Sequence, residues 1–435
     1  MIRVEVCAEQ PLHLGSRLDA GWLTDTHRFV PGSVLRGALA ALWLAEYRGP
    51  KPQTIRDEEF QRLFEGGVRF GPLYSSDDAL RPLSVFGCKY ADDEDCRRFT
   101  HDAAFHSPAP ATCPACDSPA VASKGHVEGV RVVGHTRVQL DERERAVEGQ
   151  LYTRRALPAA TRLTGLIDGD PGGELAWLMQ TERRVRFGGR RSTSGLATLS
   201  ASAEATPAAF TGFVPDRQRL VVRLLAPGIF VDKYGRPSWL PDLAELSAIL
   251  GVPVDVDAAF ARPTVVSGWH AVSNLPKPRD FAVAAGSVFV LRFGAGLPDH
   301  AGLTRLWHAG LGLRRAEGNG WITLQRWHAP PLPSAAPQSS PDELQGLFLQ
   351  IIGYGIGPTI VDDLRGWAQQ RHVGAALGSD PGAGILAKQR YALLSPEALD
   401  VVRLAFALPA DDADQLVHRI TAWTRVHTSD RGRSA

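Results

Sequence analysis

Hydrophobic spacing lays out the chain before any other feature does. Residues 2–7 alternate apolar and polar side chains, the period of a half-buried strand. Pro11 and Gly15 close it, and a polar loop is expected over residues 16–29. Ser33 stands where a helix cap is wanted. Val34, Leu35, Leu39, Leu42 and Trp43 then form one helical face that runs to about Tyr47. Residues 58–64 predict a short helix. Residues 130–139 and 150–155 predict a hairpin with a charged tip at 141–148. A strand over 163–167 and a short helix over 173–181 follow. A small-residue linker at 201–215 introduces a second set: strands over 220–225, 262–272 and 283–293, and a helix over 301–308. The stretch 330–341, PPLPSAAPQSSP, is a linker. Beyond it, four helices are expected over 342–352, 359–370, 395–408 and 411–427. Leu399, Val402, Leu404 and Phe406 form one stripe there, and Leu416, Val417, Ile420 and Trp423 another.

Each set ends near a glycine-rich stretch. Residues 187–199 read FGGRRSTSGLATL, and residues 310–324 read GLGLRRAEGNGWITL. Gly188, Gly189, Gly195, Gly318 and Gly320 let the backbone take positive φ and come close to a ligand. Arg190, Arg191, Arg314 and Arg315 bring fixed charge with bidentate geometry for phosphate. Two such stretches predict a duplicated nucleic-acid-binding unit. Two hairpin turns solubilised by arginine would carry the same residues. A helix beginning at Ser33 offers free N–H groups to an anion, with Arg36 in its first turn. Arg137, Arg154 and Arg155 are the cations of the predicted hairpin. They fit an RNA contact, and equally a charged edge that resists aggregation.

Composition narrows this. A chain of 435 residues holds two or three domains, and 44% apolar residues is ordinary for a globular protein. Net charge is +1, which excludes a global basic field, so any RNA must meet local arginine patches. The opening strand and the lack of a bilayer-length apolar run predict a cytoplasmic protein with no membrane contact. Four of the five cysteines cluster as Cys88, Cys96, Cys113 and Cys116. Cys113-Pro114-Ala115-Cys116 puts two thiolates on one tight turn, the shape of half a structural Zn2+ site. Cys88 and Cys96 are spaced more widely than such pairs usually are, so His101 or His106 could replace one of them. Four protein ligands leave no open position for catalysis. Such a metal would staple the insertion at 50–130, whose own core is small.

Several ordered motifs together resemble those of the RAMP proteins, the repeat-associated subunits of CRISPR effector complexes. They are PLHLGS at 11–16, FVPGSVLRGALA at 29–40, GHTRVQLD at 134–141, GQLYT at 149–153, Leu157-Pro158 and both glycine-rich stretches. The resemblance implies an α+β chain with two ferredoxin-like, RRM-related β-α-β-β-α-β domains in tandem. These would span 1–213, with the zinc-binding insertion inside, and 214–329; a helical module would follow at 342–435. It implies a CRISPR RNA (crRNA) ligand. The combination is most similar to the cap-type subunit of type III-D complexes, which binds the 5′ tag of the crRNA. The implied partners are backbone RAMP subunits and the large polymerase/cyclase-like subunit, with target RNA met indirectly. On this reading no residue is catalytic. Ser33, Arg36, Arg137, both arginine pairs and the loop glycines serve RNA, and Trp22 and Trp321 are candidate stacking platforms.

Two enzymatic alternatives follow from the same family. Backbone subunits cleave target RNA with a loop aspartate, and Asp25 lies in that loop with His27 two residues on. A carboxylate can assist attack by a 2′-hydroxyl, and histidine can act as acid or base. Asp25 between two threonines is also an ordinary turn residue. Metal-independent RAMP endoribonucleases process crRNA with an early histidine or tyrosine, for which His13 or His27 would serve. The insertion and the helical tail argue against that. A scaffold that binds other subunits alone is the remaining alternative.

Overall fold

The computed structural model describes residues 1–20, 23–46, 58–91, 94–142, 145–169, 173, 175–188, 194–270, 275–330, 341–372 and 391–431. They divide into two compact units, Met1–Pro330 and Pro331–Ala435.

Two antiparallel sheets organise the first unit. In the first, β1 (Ile2–Ala8) lies between β12 (Leu196–Ala203) and β10 (Arg162–Asp168). β4 (Arg69–Phe70) adds beyond β10, and β11 (Arg183–Arg186) beyond β12. Helix α1 (Gly32–Glu46) links β1 to β4, and a 3-10 turn at Ala176–Met179 precedes β11. Taking β1, β4, β10 and β12 as first to fourth, the spatial order is fourth-first-third-second. The second sheet repeats it. β14 (Arg219–Leu224), β15 (Val254–Phe260), β20 (Val288–Phe293) and β21 (Ile322–Thr323) lie in the order β21-β14-β20-β15, and β13 (Phe213–Val214) also pairs β14. Its helices are α3 (Leu243–Leu250) and α4 (His300–Ala309).

Burial explains both spines. In β1, Val4 and Val6 pack in one cluster with Leu35, Leu39 and Trp43 of α1, while Glu5 on the other face is exposed. β14 is buried on both faces. Leu220, Val222 and Leu224 join Leu246 and Leu306, whereas Val221 packs with Val288, Val290, Ala104 and Phe105. The last two belong to the cysteine-bearing insertion: β5 (Val85–Cys88), α2 (Glu94–Arg98), β6 (Thr100–Asp102) and β7 (Ala120–Ala122). The insertion thus covers the outer face of the second sheet, and the Arg217 guanidinium donates to the Phe105 carbonyl at 2.8 Å.

Several expectations are corrected. The stretch expected as a polar loop at 16–29 contains β2 (Gly15–Ala20) and β3 (Leu23–Thr26), which join β8 (Val133–Leu140) and β9 (Ala146–Ala156) in a sheet ordered β2-β3-β9-β8. Leu23-Thr24-Asp25-Thr26 lacks apolar alternation; backbone pairing on both sides holds it instead, antiparallel to β2 and parallel to β9. The run at 283–293 is two strands. β19 (Asp280–Val283) ends before Gly286, whose φ is +86°, and β20 follows. β19 pairs β16 (Pro263–Val266), and β17 (Trp269–His270) pairs β18 (Leu275–Pro276) beyond them. β12 runs to Ala203, into the expected linker. Ser33 is not a cap: the Val34 and Leu35 amides bond the Pro31 carbonyl, so Ser33 lies inside the first turn.

The second unit is helical: α5 (Pro341–Gly353), α6 (Gly357–His372), α7 (Pro396–Ala407) and α8 (Ala410–Arg431). Ser395 caps α7 through the Ala398 amide. Ile351, Leu364, Trp367, Val402, Phe406, Leu416 and Ile420 share one core, but Leu404 faces outward. Among the described residues no helix is long and apolar enough to cross a membrane.

Candidate nucleic-acid interface

Both glycine-rich stretches are closed at the neck in the same way. In the first, the Phe187 amide donates to the Gly195 carbonyl at 2.8 Å, and the Gly195 amide to the Pro11 carbonyl at 3.0 Å. In the second, Leu311 donates to Gly320 at 2.9 Å, and Gly320 to Pro227 at 2.8 Å. Gly188 and Gly312 follow the first residue of each neck with φ of +72° and +78°. A Cβ on either would clash with backbone: it would lie 2.1 Å from the His13 oxygen at Gly188, and 2.5 Å from the Ile229 oxygen at Gly312. Here glycine is required by conformation and by space.

The surroundings differ. The first neck stands beside His13, whose Nδ1 lies 3.2 Å from the Arg155 carbonyl oxygen on β9. Arg155 is exposed and pairs with Asp25 at 3.5 Å. Arg186 of β11 reaches Gln10 and the Ser194 carbonyl at the neck itself. The neck, His13 and the four-stranded sheet therefore form one continuous surface. Arg186 was not a sequence candidate, although the run Arg183-Arg184-Val185-Arg186 on an edge strand carried the signal. Trp22, Gly189, Arg190, Arg191 and the Arg137 side chain lie outside the described residues.

The second stretch turns inward. Arg314, at φ +55°, holds Glu317 through two nitrogens and Asp280 through a third. Lys277 pairs with the same Glu317 at 2.6 Å. Burial pushes the Glu317 carboxyl upward, but hydrogen bonds from Arg314 and Lys277 outweigh it and hold it down to about 2. Arg315 bonds the Gly312 and Ala309 carbonyls and pairs with Glu245. Gly318 lies against Gly32: a Cβ at Gly318 would stand 2.7 Å from the Gly32 Cα. The start of α1 is thus packed on the second stretch, away from the neck at Gly188. Arg36 donates to the Phe64 carbonyl and lines a cleft of about 560 Å³ with Glu65, Lys277, Asp280, Arg314 and Glu317. Trp321 is 4% exposed beneath the Arg69 guanidinium, so it offers no stacking face. Burial draws Arg69 down to about 10, against the pull of Asp168.

Asp25 sits on β3, its carboxylate accepting from the Thr26 amide at 2.8 Å and facing Arg155. His27 packs edge-on against Phe29, and desolvation keeps its imidazole below the ordinary range despite Asp25. Leu14 bonds the Thr26 hydroxyl, which fixes the hairpin to the neck strand.

The four cysteines converge although they come from three places. Cys88 ends β5, Cys96 lies in α2, and Cys113 and Cys116 share a turn. All four sulfurs lie within 4.8 Å of one another, with Cys88–Cys116 at 3.6 Å and Cys96–Cys113 at 3.9 Å. Tetrahedral ligation at ~2.3 Å needs sulfurs ~3.8 Å apart, so the set fits one metal ion. Hydrogen bonds from Ser118 lead those that lower the exposed Cys116 thiol to about 7. His101 and His106 are not in the cluster. His106 meets Arg326, and the His101 ring meets the His106 carbonyl.

The RAMP superfamily model matches residues 8–195, and the model of the CRISPR-associated protein Cas_Cmr3 matches residues 129–321. The two matches together span residues 8–321, and the chain is a CRISPR-associated protein of the RAMP superfamily. No curated protein matches the sequence. Several solved structures are similar, among them these three. A chain of the type III-B Cmr-beta complex bound to cognate target RNA and AMPPnP has 14% identity over 66% of this chain and 86% of that one, with a TM-score of 0.38. A CRISPR-associated Cas6 has 9% identity over 74% and 97%, TM-score 0.31. The Csm3–Csm4 subcomplex of the type III-A interference complex has 11% over 69% and 94%, TM-score 0.31.

Proposed function

We propose that this subunit binds the 5′ tag of the crRNA and docks the neighbouring subunits, without cutting RNA. The observation that carries the reading is the surface at the first neck. There Gly188 and Gly195, which flank Arg190 and Arg191 in the sequence, stand beside His13, Arg155 and Arg186. Glycines bring backbone N–H groups close to phosphate, and arginines grip its oxygens. The repeated strand order supports reading the two halves as ferredoxin-like domains. The sulfur cluster supports a structural zinc: Cys88, Cys96, Cys113 and Cys116 would hold it, and it would supply no open ligand position. Asp25 is tied to Arg155 and to backbone, which suits an ordering role better than that of a free base.

The test is to purify the full chain with its neighbouring subunits, sequence the RNA that accompanies it, and assay cleavage of target and repeat RNA. Short RNAs sharing one 5′ end and no cleavage by the chain are expected. Charge reversal at Arg190 and Arg191 should deplete that RNA. Target cleavage lost in Asp25→Ala would make this a nuclease subunit, and assembly without RNA would make it a scaffold.

A further inference from the structure

The second half carries an arm that the reading above does not use. β16 pairs β19, and β17 pairs β18 farther out, from Pro263 to Val283. It leaves the body at the place where the β8–β9 hairpin leaves the first half. Leu157, just past β9, exchanges both backbone hydrogen bonds with Leu12. Val283, at the end of β19, does the same with Gly228. Leu12 and Gly228 each follow the proline that receives the loop-neck amide. The arm is therefore the structural counterpart of the hairpin beside the first neck.

Its chemistry is cationic and aromatic. Trp269 is 59% exposed, and Leu275 and Val265 are exposed with it. Arg279 is exposed, and the arm's one acidic residue, Asp280, is bound by Arg314 at the root, while Arg262, just before the arm, donates to the Lys124 carbonyl at 2.6 Å. Lys277 is likewise consumed at the root by Glu317. The arm thus shows the Trp269 ring farther out and the Arg279 guanidinium near the root, with no unpaired carboxylate to oppose a polyanion. Aromatic faces interleaved with arginine suit single-stranded nucleic acid, because every base has a face to stack and every linkage a charge to meet.

We propose that this arm is a second contact for single-stranded RNA, with Trp269 stacking on a base and Arg279 facing a phosphate. The inference rests on the reading that the first half carries the guide RNA. The test uses the full chain and two fluorescent probes: a tag oligonucleotide, and a longer mixed-sequence single-stranded RNA. Trp269→Ala should weaken binding of the long RNA ~5- to 100-fold, as loss of one stacked base does. Tag binding should be unchanged. Trp269→Phe should restore most of the loss, and Arg279→Glu should weaken the long RNA and flatten its salt dependence. Equal long-RNA affinity in Trp269→Ala and the unaltered chain overturns the proposal. So does loss of a neighbouring subunit from the reconstituted complex with RNA affinity intact, which would make the arm a protein contact. If the unaltered chain binds neither probe, the tag reading falls as well; if it binds the tag and Trp269→Ala changes nothing, the arm alone falls.

Discussion

The two glycine-rich stretches share a backbone and differ in what their surroundings do with it. Each neck donates to the same relative glycine, and that glycine donates to the same relative proline. In the second, the arginines that the sequence offers for phosphate are drawn inward by Glu317, Asp280 and Glu245. Gly318 there lies against Gly32 of α1, a contact two side chains could not share. The first neck faces His13 and an exposed arginine instead. The turn geometry is the same in both stretches, while in the second the charge is taken up by internal contacts. Glycine at a strained turn is therefore a statement about backbone, and tandem arginine beside it carries no fixed role until its carboxylate partners are known.

The shared geometry gives the largest expected effect. A Cβ at Gly320 would stand 1.7 Å from the Leu311 oxygen, and one at Gly195 2.2 Å from the Phe187 oxygen. Both positions also have positive φ. Gly320→Ala and Gly195→Ala should each cost about 3 kcal/mol or more in chemical denaturation, enough to unfold a marginal domain. Similar losses would support equivalent necks. A large loss at one and a small loss at the other would break the comparison.

Much of this was legible before the structure. β1 and α1 were announced by alternation and by helical spacing because each packs one face on a core. The four C-terminal helices followed from stripes whose buried members share one cluster. The cysteines were legible because thiolate spacing is a local signal. What stayed hidden depends on distant partners. β3 carries Asp25 and no apolar alternation, and β9, distant in sequence, together with the neighbouring β2 supplies its pairing. Residues 243–260 hold α3 and β15, yet β15 alternates half-buried valine and alanine with exposed aspartate too weakly to stand out. Arg314 and Trp321 looked functional because nothing local shows that Glu317 and Arg69 would claim them.

The arginine pairs separate the two stretches more finely. Arg315→Ala removes an ion pair and two carbonyl contacts. It should cost roughly 1–2 kcal/mol in thermal or chemical unfolding and leave RNA affinity alone. The double change Arg190→Ala with Arg191→Ala should do the reverse. RNA affinity should fall, the salt slope should drop by about 1–2, and the unfolding midpoint should hold. Loss of RNA affinity in Arg315→Ala, measured on folded protein, would return the second stretch to the RNA surface.

The smallest effect is a pH dependence confined to the second stretch. Glu317 holds its proton only below about 2 when folded, against an ordinary value of 4.5. Between those values the unfolded chain binds more protons than the native one, so stability falls as pH drops through that window and is complete above it. Glu317→Gln removes the ionisation and should flatten the acid limb of unfolding midpoints, while lowering stability near neutrality because Arg314 and Lys277 lose their shared partner. The carboxylate nearest the first neck is the exposed Glu9, held below its ordinary range by hydrogen bonds from Arg184 and Thr198; an exposed pair is screened by solvent, so exchange at Phe187 and Gly195 should follow a much weaker acid limb. Hydrogen exchange at Leu311 and Gly320 against Phe187 and Gly195, run down the pH series, reads the two necks separately. Parallel acid weakening at both, unaffected by Glu317→Gln, would mean that the carboxylate network does not set the difference between them.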